Sequence, residues 1–366
     1  MHYFTFAEKD TTLYQGSGSL NAGLDEVLEI QKSVSDSGDV VNVSRILIKF
    51  DLSYLSGSLI DGTISKSAKY YLNLYDARSS NLSISQSIYA YPISQSWTMG
   101  QGHTYDNPIT DEGASWNFRD GATDGTIWGA ISSSGGQWYS GDGYVASHSI
   151  NHKTEDLRIN VTDVVNKWLT QTIPNEGFMV KRSGSAGNLD GNVDEGSTTR
   201  FGNLSFFSSD THTKYPPTLE TVWNDSKWST GSLSPLTQAN IEDMTIYMKG
   251  LRPEYKEKSK ARFRLVGRER FPEATYDTTP ANLSVKYLPS GSSFYSILDA
   301  ETDEVLVPYG SGSVISCDGT GNYFNLWLDG YQPERYYRLE FRVQSGSGVD
   351  ETDQYFNEGF TFKVSQ

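Results

Sequence analysis

Apolar side chains recur at every second position in short runs, and each run is cut off by glycine, serine, asparagine or aspartate. That alternation buries one face of an extended strand and leaves little room for helices. From Ser44 to Leu52, the residues Ile46, Ile48, Phe50 and Leu52 are interleaved with Arg45 and Lys49. Ala68, Tyr70, Leu72 and Leu74 share one face of the next run, Tyr89, Tyr91 and Ile93 alternate after it, and Thr218 to Trp223 closes the series. A content of 23 Tyr, 8 Trp and 34 Gly in 366 residues fits strands and turns. Short strands punctuated this regularly predict an antiparallel sandwich.

One helix is predicted. Asn160 or Thr162 can cap Asp163 to Leu169, Asp163 suits the positive helix start, and Val164, Val165, Trp168 and Leu169 form an apolar stripe. Asn175-Glu176-Gly177 ends it, and Phe178 to Lys181 reads as the following strand. Residues 97–144 and 183–200 resist strand assignment; the first holds Trp97, Trp116, Trp128 and Trp138, and the second is rich in Gly, Ser, Asp and Asn. Long ordered loops of this kind often carry function.

The stretch 225–239 reads as a linker, which divides the chain into residues 1–224 and 240–366. In the second part Ala261, Phe263 and Leu265 point one way, while Lys256, Lys258, Lys260, Arg262 and Arg264 point the other. Tyr337, Leu339, Phe341 and Val343 form another apolar face, and Phe360 and Phe362 close a last strand. About 125 residues of this kind fit one immunoglobulin-like sandwich.

Charge narrows the partners. With 30 Lys plus Arg against 45 Asp plus Glu, the net charge is −15, which disfavours nucleic acid and anionic lipid. The single cysteine, Cys317, excludes an intrachain disulfide and a cysteine zinc cluster. The first ten residues lack the basic and apolar regions of a signal peptide, and no apolar run approaches the ~18 residues of a membrane span.

Several segments carry a resemblance: Lys9-Asp10-Thr11-Thr12-Leu13-Tyr14, Asn21-Ala22-Gly23 leading to Val27-Leu28-Glu29-Ile30, and Ser44 to Ser53. Ser96-Trp97-Thr98-Met99-Gly100, Gly113-Ala114-Ser115-Trp116, Asn160 to Trp168, Asn175 to Phe178 and Phe206 to Glu220 continue it in order. On these, residues 8–223 resemble the DNRLRE-type β-sandwich family, related to disaggregatase and to jelly-roll carbohydrate-binding modules. The literal string Asp-Asn-Arg-Leu-Arg-Glu is absent. Further on, Tyr331-x-Pro333-x-Arg335-x-Tyr337 resembles the tyrosine corner of fibronectin type III-like sandwiches, in which the hydroxyl bonds back to nearby backbone. A DNRLRE-like sandwich followed by a small Ig-like domain resembles virion structural proteins of T4-like tailed bacteriophages. The resemblance implies assembly in the host cytoplasm, which suits one cysteine.

Chemical motifs are weak by comparison. His148 and His152 are four apart, but no Glu between them completes a metalloprotease pattern. No nucleophile elbow or phosphate cradle is present, and Cys317 reads as a small semi-buried residue. Asp111/Glu112 and Asp194/Glu195 are carboxylate pairs of the sort glycoside hydrolysis uses, but among 45 acids such pairs carry little information. Asp190-x-Asn192-x-Asp194 opens like a calcium loop, yet its sixth and twelfth positions are Glu195 and Phe201, against the EF-hand pattern.

Two groups remain as candidates. Trp128, Trp138, Tyr139 and Tyr144 form either a sugar-stacking platform or ring anchors filling one end of a sandwich. Lys256, Lys258, Lys260, Arg262 and Arg264 form either a solvated, aggregation-resistant edge or a docking face for an acidic neighbour. The expectation is therefore an all-β, two-domain, non-enzymatic chain without cofactor: an N-terminal jelly-roll-like sandwich and an immunoglobulin/fibronectin III-like one. The expected role is a structural component of the neck, tail or baseplate of a phage virion. Its partners would be other virion proteins, with the chain in a homo-oligomer or symmetric ring. The alternative is recognition of a cell-surface glycan, and neither nucleic acid nor membrane insertion is expected.

Overall fold

The structure is a computed structural model that describes all residues except 83–84, 122–124, 130–133, 152–155, 184–193, 237–243, 272–275, 277–284 and 346–350. The protein is all-β, with two short helices among the described residues. It packs into two compact units. The first unit comprises Thr5–Asp61 and Lys69–Glu220; the second comprises Met1–Phe4, Gly62–Ala68 and Thr221–Gln366.

The first unit is built from β1 (His2–Tyr14), β2 (Val27–Ile30), β3 (Lys32–Val34), β4 (Val40–Phe50), β5 (Lys69–Leu74) and β6 (Gln86–Pro92). It continues with β7 (Ala146–Ile150), β8 (Leu157–Asn160), β9 (Phe178–Lys181), β10 (Leu204–Phe207) and β11 (Thr218–Val222). β1 and β11 each run past the division between the units. The main sheet runs β7-β6-β9-β4-β1-β11-β5-β8, with β3 on β4 and a separate β10-β2 ribbon. The strands expected around Ile46, Tyr70, Tyr89, Phe178 and Leu219 are all present.

Period two explains one face of that sheet. Ile46, Ile48, Phe50, Ile88, Ala90, Phe178 and Val180 are all buried. The opposite face is buried as well, which alternation alone does not reveal. Leu13, Val43, Leu47 and Met179 pack with Ile93, Trp97, Ala114, Trp116 and Trp128. Four of these come from the strand-poor stretch 97–144, so that stretch is a hydrophobic cover laid over the sheet.

The predicted helix is present as α2 (Thr162–Leu169), and Asn160 Oδ1 accepts the N–H of Thr162 at 3.2 Å. A second helix, α1 (Ser53–Ile60), was not expected, because Ser-Tyr-Leu-Ser-Gly-Ser has no apolar stripe. Asp51 Oδ1 starts it by accepting the N–H of Ser53 at 2.9 Å.

The second unit contains β12 (Ser234–Pro235), β13 (Met244–Lys249), β14 (Glu254–Lys256), β15 (Lys260–Glu269), β16 (Lys286–Tyr287) and β17 (Ser293–Asp299). It ends with β18 (Val305–Val307), β19 (Ser316–Asp318), β20 (Gly321–Trp327), β21 (Arg335–Ser345) and β22 (Thr352–Ser365). One sheet runs β12-β16-β15-β20-β19, with β13 on β15; the other runs β14-β22-β21-β17-β18. Phe263, Leu265, Phe324 and Leu326 from the first meet Tyr295, Ile297, Leu339, Phe341 and Phe362 from the second in one core, which makes a sandwich. The Tyr337 hydroxyl donates to the carbonyl of Gln332 at 3.1 Å, the bond that the tyrosine-corner resemblance implied. Within 225–236, read as a linker, Trp228 bridges to Cys317 and β12 pairs in parallel with β16.

Candidate functional site

Arg45 on β4 and Lys181 on β9 belong to the sheet face beneath the tryptophan cover, and both are fully buried. In the alternation Arg45 is interleaved with the apolar positions of β4. It is retained inside by Glu195, whose carboxylate accepts Arg45 Nε at 3.0 Å and Nη2 at 2.7 Å. Arg45 Nη1 donates to the carbonyl of Gly135 at 2.7 Å. Lys181 Nζ lies 3.1 Å from Glu195 Oε2 and donates to the carbonyl of Arg182 at 2.9 Å. Burial pushes the Lys181 ammonium down to about 8, against the pull of Glu195. Glu195 is thus a structural counter-ion shared by two cations, and its carboxylate is not poised as half of a hydrolytic pair. The signal for it was absent from the sequence, because its partners are 150 and 14 residues away.

Trp138 lies over this cluster, with its ring 4.8 Å from Lys181 Nζ and 5.1 Å from the Arg45 guanidinium. Its other neighbour is Tyr91, at 5.8 Å between centroids. Tyr91 in turn stacks on Tyr89 along β6 at 6.2 Å. Tyr139 and Tyr144 form a separate stacked pair at 5.7 Å and 26°, with Lys167 Nζ 4.5 Å from the Tyr144 ring. Trp138, Tyr139 and Tyr144 are half-buried. Trp128 departs from the expected platform. It is fully buried, its Nε1–H donates to the carbonyl of Ser115 at 2.8 Å, and it offers no ring face to a ligand.

The five-residue basic row is also corrected. Lys256 lies on β14, in the other sheet, and its Nζ donates to the carbonyl of Gln366. Lys258 sits in the turn with φ of 55°, a left-handed backbone that breaks the alternation, and its Nζ is 3.6 Å from Glu257. Lys260, Arg262 and Arg264 do share one face of β15, opposite Trp327, Asn325 and Tyr323 of β20. Lys260 Nζ lies 4.7 Å from the Trp327 ring, and Arg262 lies 4.3 Å from Tyr323. Arg264 makes a two-pronged pair with Asp318 at 3.0 and 2.9 Å, and this holds the Asp318 carboxyl well below its usual range. Arg262 Nη1 is 3.9 Å from the same carboxylate.

The remaining chemical candidates recede. Burial pushes the Cys317 thiol up to about 11, which disfavours the thiolate. His148 lies on β7, and His152 and Asp190 to Asn192 fall outside the described residues. Among the described residues no three His, Cys, Asp or Glu side chains converge as a metal site, and no helix is long and apolar enough to cross a membrane.

No family model matches the chain, and no curated protein matches it. A solved structure of a DUF4785 family protein from Legionella pneumophila aligns at 10% identity and a TM-score of 0.19. That alignment covers 98% of this chain, which spans 65% of the length of the Legionella structure.

Proposed function

We propose that the chain is a structural component of a tailed-phage particle that acts by docking onto neighbouring subunits. The observation that carries this reading is the face of β15. Three cations, Lys260, Arg262 and Arg264, stand side by side on a strand of a chain whose net charge is −15. Asp318 answers Arg264 at close range and Arg262 only distantly. Aromatic rings on β20 hold the cations in a fixed row, which lowers the entropy lost when an acidic surface meets them. An acidic neighbour, including another subunit of similar charge, is the complementary partner. The resemblance of a DNRLRE-like sandwich followed by a small Ig-like domain to virion structural proteins of T4-like tailed phages supports a virion setting.

Quantitative mass spectrometry of particles encoded together with this chain tests the reading. A fixed copy number, set by the symmetry of a ring, is the expected result, and absence from particles overturns it. The variant Lys260→Glu with Arg262→Glu should fold and be missing from particles. Normal incorporation would refute the assigned face.

One observation favours glycan recognition as a second reading. The Tyr139–Tyr144 pair and Trp138 keep partly open ring faces beside the cationic Lys167, and such faces stack on sugar C–H surfaces. On this reading Tyr144→Ala weakens binding to a glycan array by tenfold or more, about 1.4 kcal/mol. Equal binding by Trp138→Ala and Tyr144→Ala variants excludes it.

A further inference from the structure

The basic face of β15 continues onto β13. In the antiparallel register Lys249 stands opposite Arg264 and Thr245 opposite Arg268, so these side chains share the outer face with Lys260 and Arg262. Ala261, Phe263 and Leu265 point the other way, into the core. Lys249, Lys260, Arg262, Arg264 and Arg268 therefore meet on one surface, where Asp318 pairs with Arg264. Tyr247, between Thr245 and Lys249 on the same face of β13, is 40% exposed.

The other sheet of this sandwich ends in a surface of opposite character. The turn from β17 to β18 reads Asp299-Ala300-Glu301-Thr302-Asp303-Glu304, four carboxylates in six residues. Arg335 lies 2.6 Å from Asp299 and 3.6 Å from Glu301, and Arg338 lies 2.8 Å from Asp303 and 3.3 Å from Glu340. Two guanidinium groups against four carboxylates leave the turn net negative, and Glu301 and Asp303 are exposed. The turn is also held in shape. Asp299 Oδ1 accepts the N–H of Glu301 at 3.0 Å and of Thr302 at 3.1 Å, and Asp299 N donates to the carbonyl of Glu304 at 2.9 Å. β18 is an edge strand, and its Val305 is 52% exposed beside the acids.

We propose that the acidic β17–β18 turn of one copy of this chain docks on the basic β13–β15 face of the next. The inference rests on the docking reading above and names the neighbour as a second copy. Cations oppose carboxylates, Tyr247 and Val305 add an apolar pair beside them, and both surfaces are ordered before they meet. The two surfaces belong to different sheets, so each copy offers one and receives on the other. Such a contact is head-to-tail, and it closes into a ring when the rotation between copies completes a circle. Its charges are exposed, so salt weakens it.

Sedimentation of the full chain over a concentration series in low salt tests this. The wild type should rise to about threefold the mass of one chain or more, and fall back in about 0.5 M NaCl. Arg262→Glu and Glu301→Lys, both on exposed side chains, should each fold and stay monomeric. Mixed one to one, they should stop at a dimer, because the intact turn of the first fits the intact face of the second. The double variant should assemble again, because the exchanged charges oppose once more. A wild type that is monomeric at every concentration overturns the proposal, as does a single variant that still assembles or a double variant that does not. Particles separate this failure from that of the docking reading. With a monomeric wild type, loss of the Lys260→Glu, Arg262→Glu variant from particles would leave docking standing with a different acidic neighbour, and its normal incorporation would end both.

Discussion

Arg45, Lys181 and Glu195 are three ionic side chains inside a β-sheet protein, and their value lies in being complete. Removing one partner leaves a buried charge uncompensated, which costs about 3–5 kcal/mol. Glu195→Gln should therefore lower stability by that amount in urea unfolding, whereas Glu112→Gln, on an exposed side chain, should change it by less than about 0.5 kcal/mol. Asp10 gives a second residue-level expectation. Its folded value near 7 exceeds the unfolded value of about 4, so the native state binds the extra proton between those limits. Stability from Asp10 is full below about pH 4 and is lost as pH rises through 7. Asp10→Asn should flatten that slope in a pH series of denaturant melts. None of this was legible beforehand, because alternation marks a position as inward or outward but does not say that a sheet is covered on both faces.

Elements were read more faithfully than sites. Strand β9, Phe178–Lys181, and helix α2 follow from local pattern, since turn residues bracket the one and a capped apolar stripe defines the other. The tyrosine corner was also legible, because its bond spans only five residues. Tyr337→Phe should cost about 0.5–1.5 kcal/mol with the fold intact, read as a shifted denaturation midpoint at constant slope. The basic row failed for a local reason. The period-two pattern runs unbroken through Lys258 in the sequence, but the left-handed backbone there turns the chain from one sheet to the other. Helix α1 was missed because Ser53 to Ile60 has no hydrophobic period; what marks its start is the carboxylate of Asp51 accepting the N–H of Ser53.

At the scale of the whole molecule, the second unit is discontinuous in sequence. Its core takes in Phe4, which meets Tyr331 edge-on at 6.4 Å, while the Met1 amino group donates to the carbonyl of Trp223 at 2.6 Å. Trp223 N donates back to the carbonyl of Met1 at 3.1 Å, so the chain segments at Met1 and Trp223 run side by side. Excising residues 5–220 also removes Gly62–Ala68, which adds nothing to the main core of this unit, and joining Phe4 to Thr221 through a short glycine-rich turn should give a domain that unfolds in one cooperative thermal transition. A broad transition without near-ultraviolet dichroism would contradict the division. The nesting also has a mechanical consequence. Tension applied between residues 1 and 366 enters and leaves through the same unit, so that sandwich bears the load and yields first. The enclosed one is shielded from the pull until its host has opened.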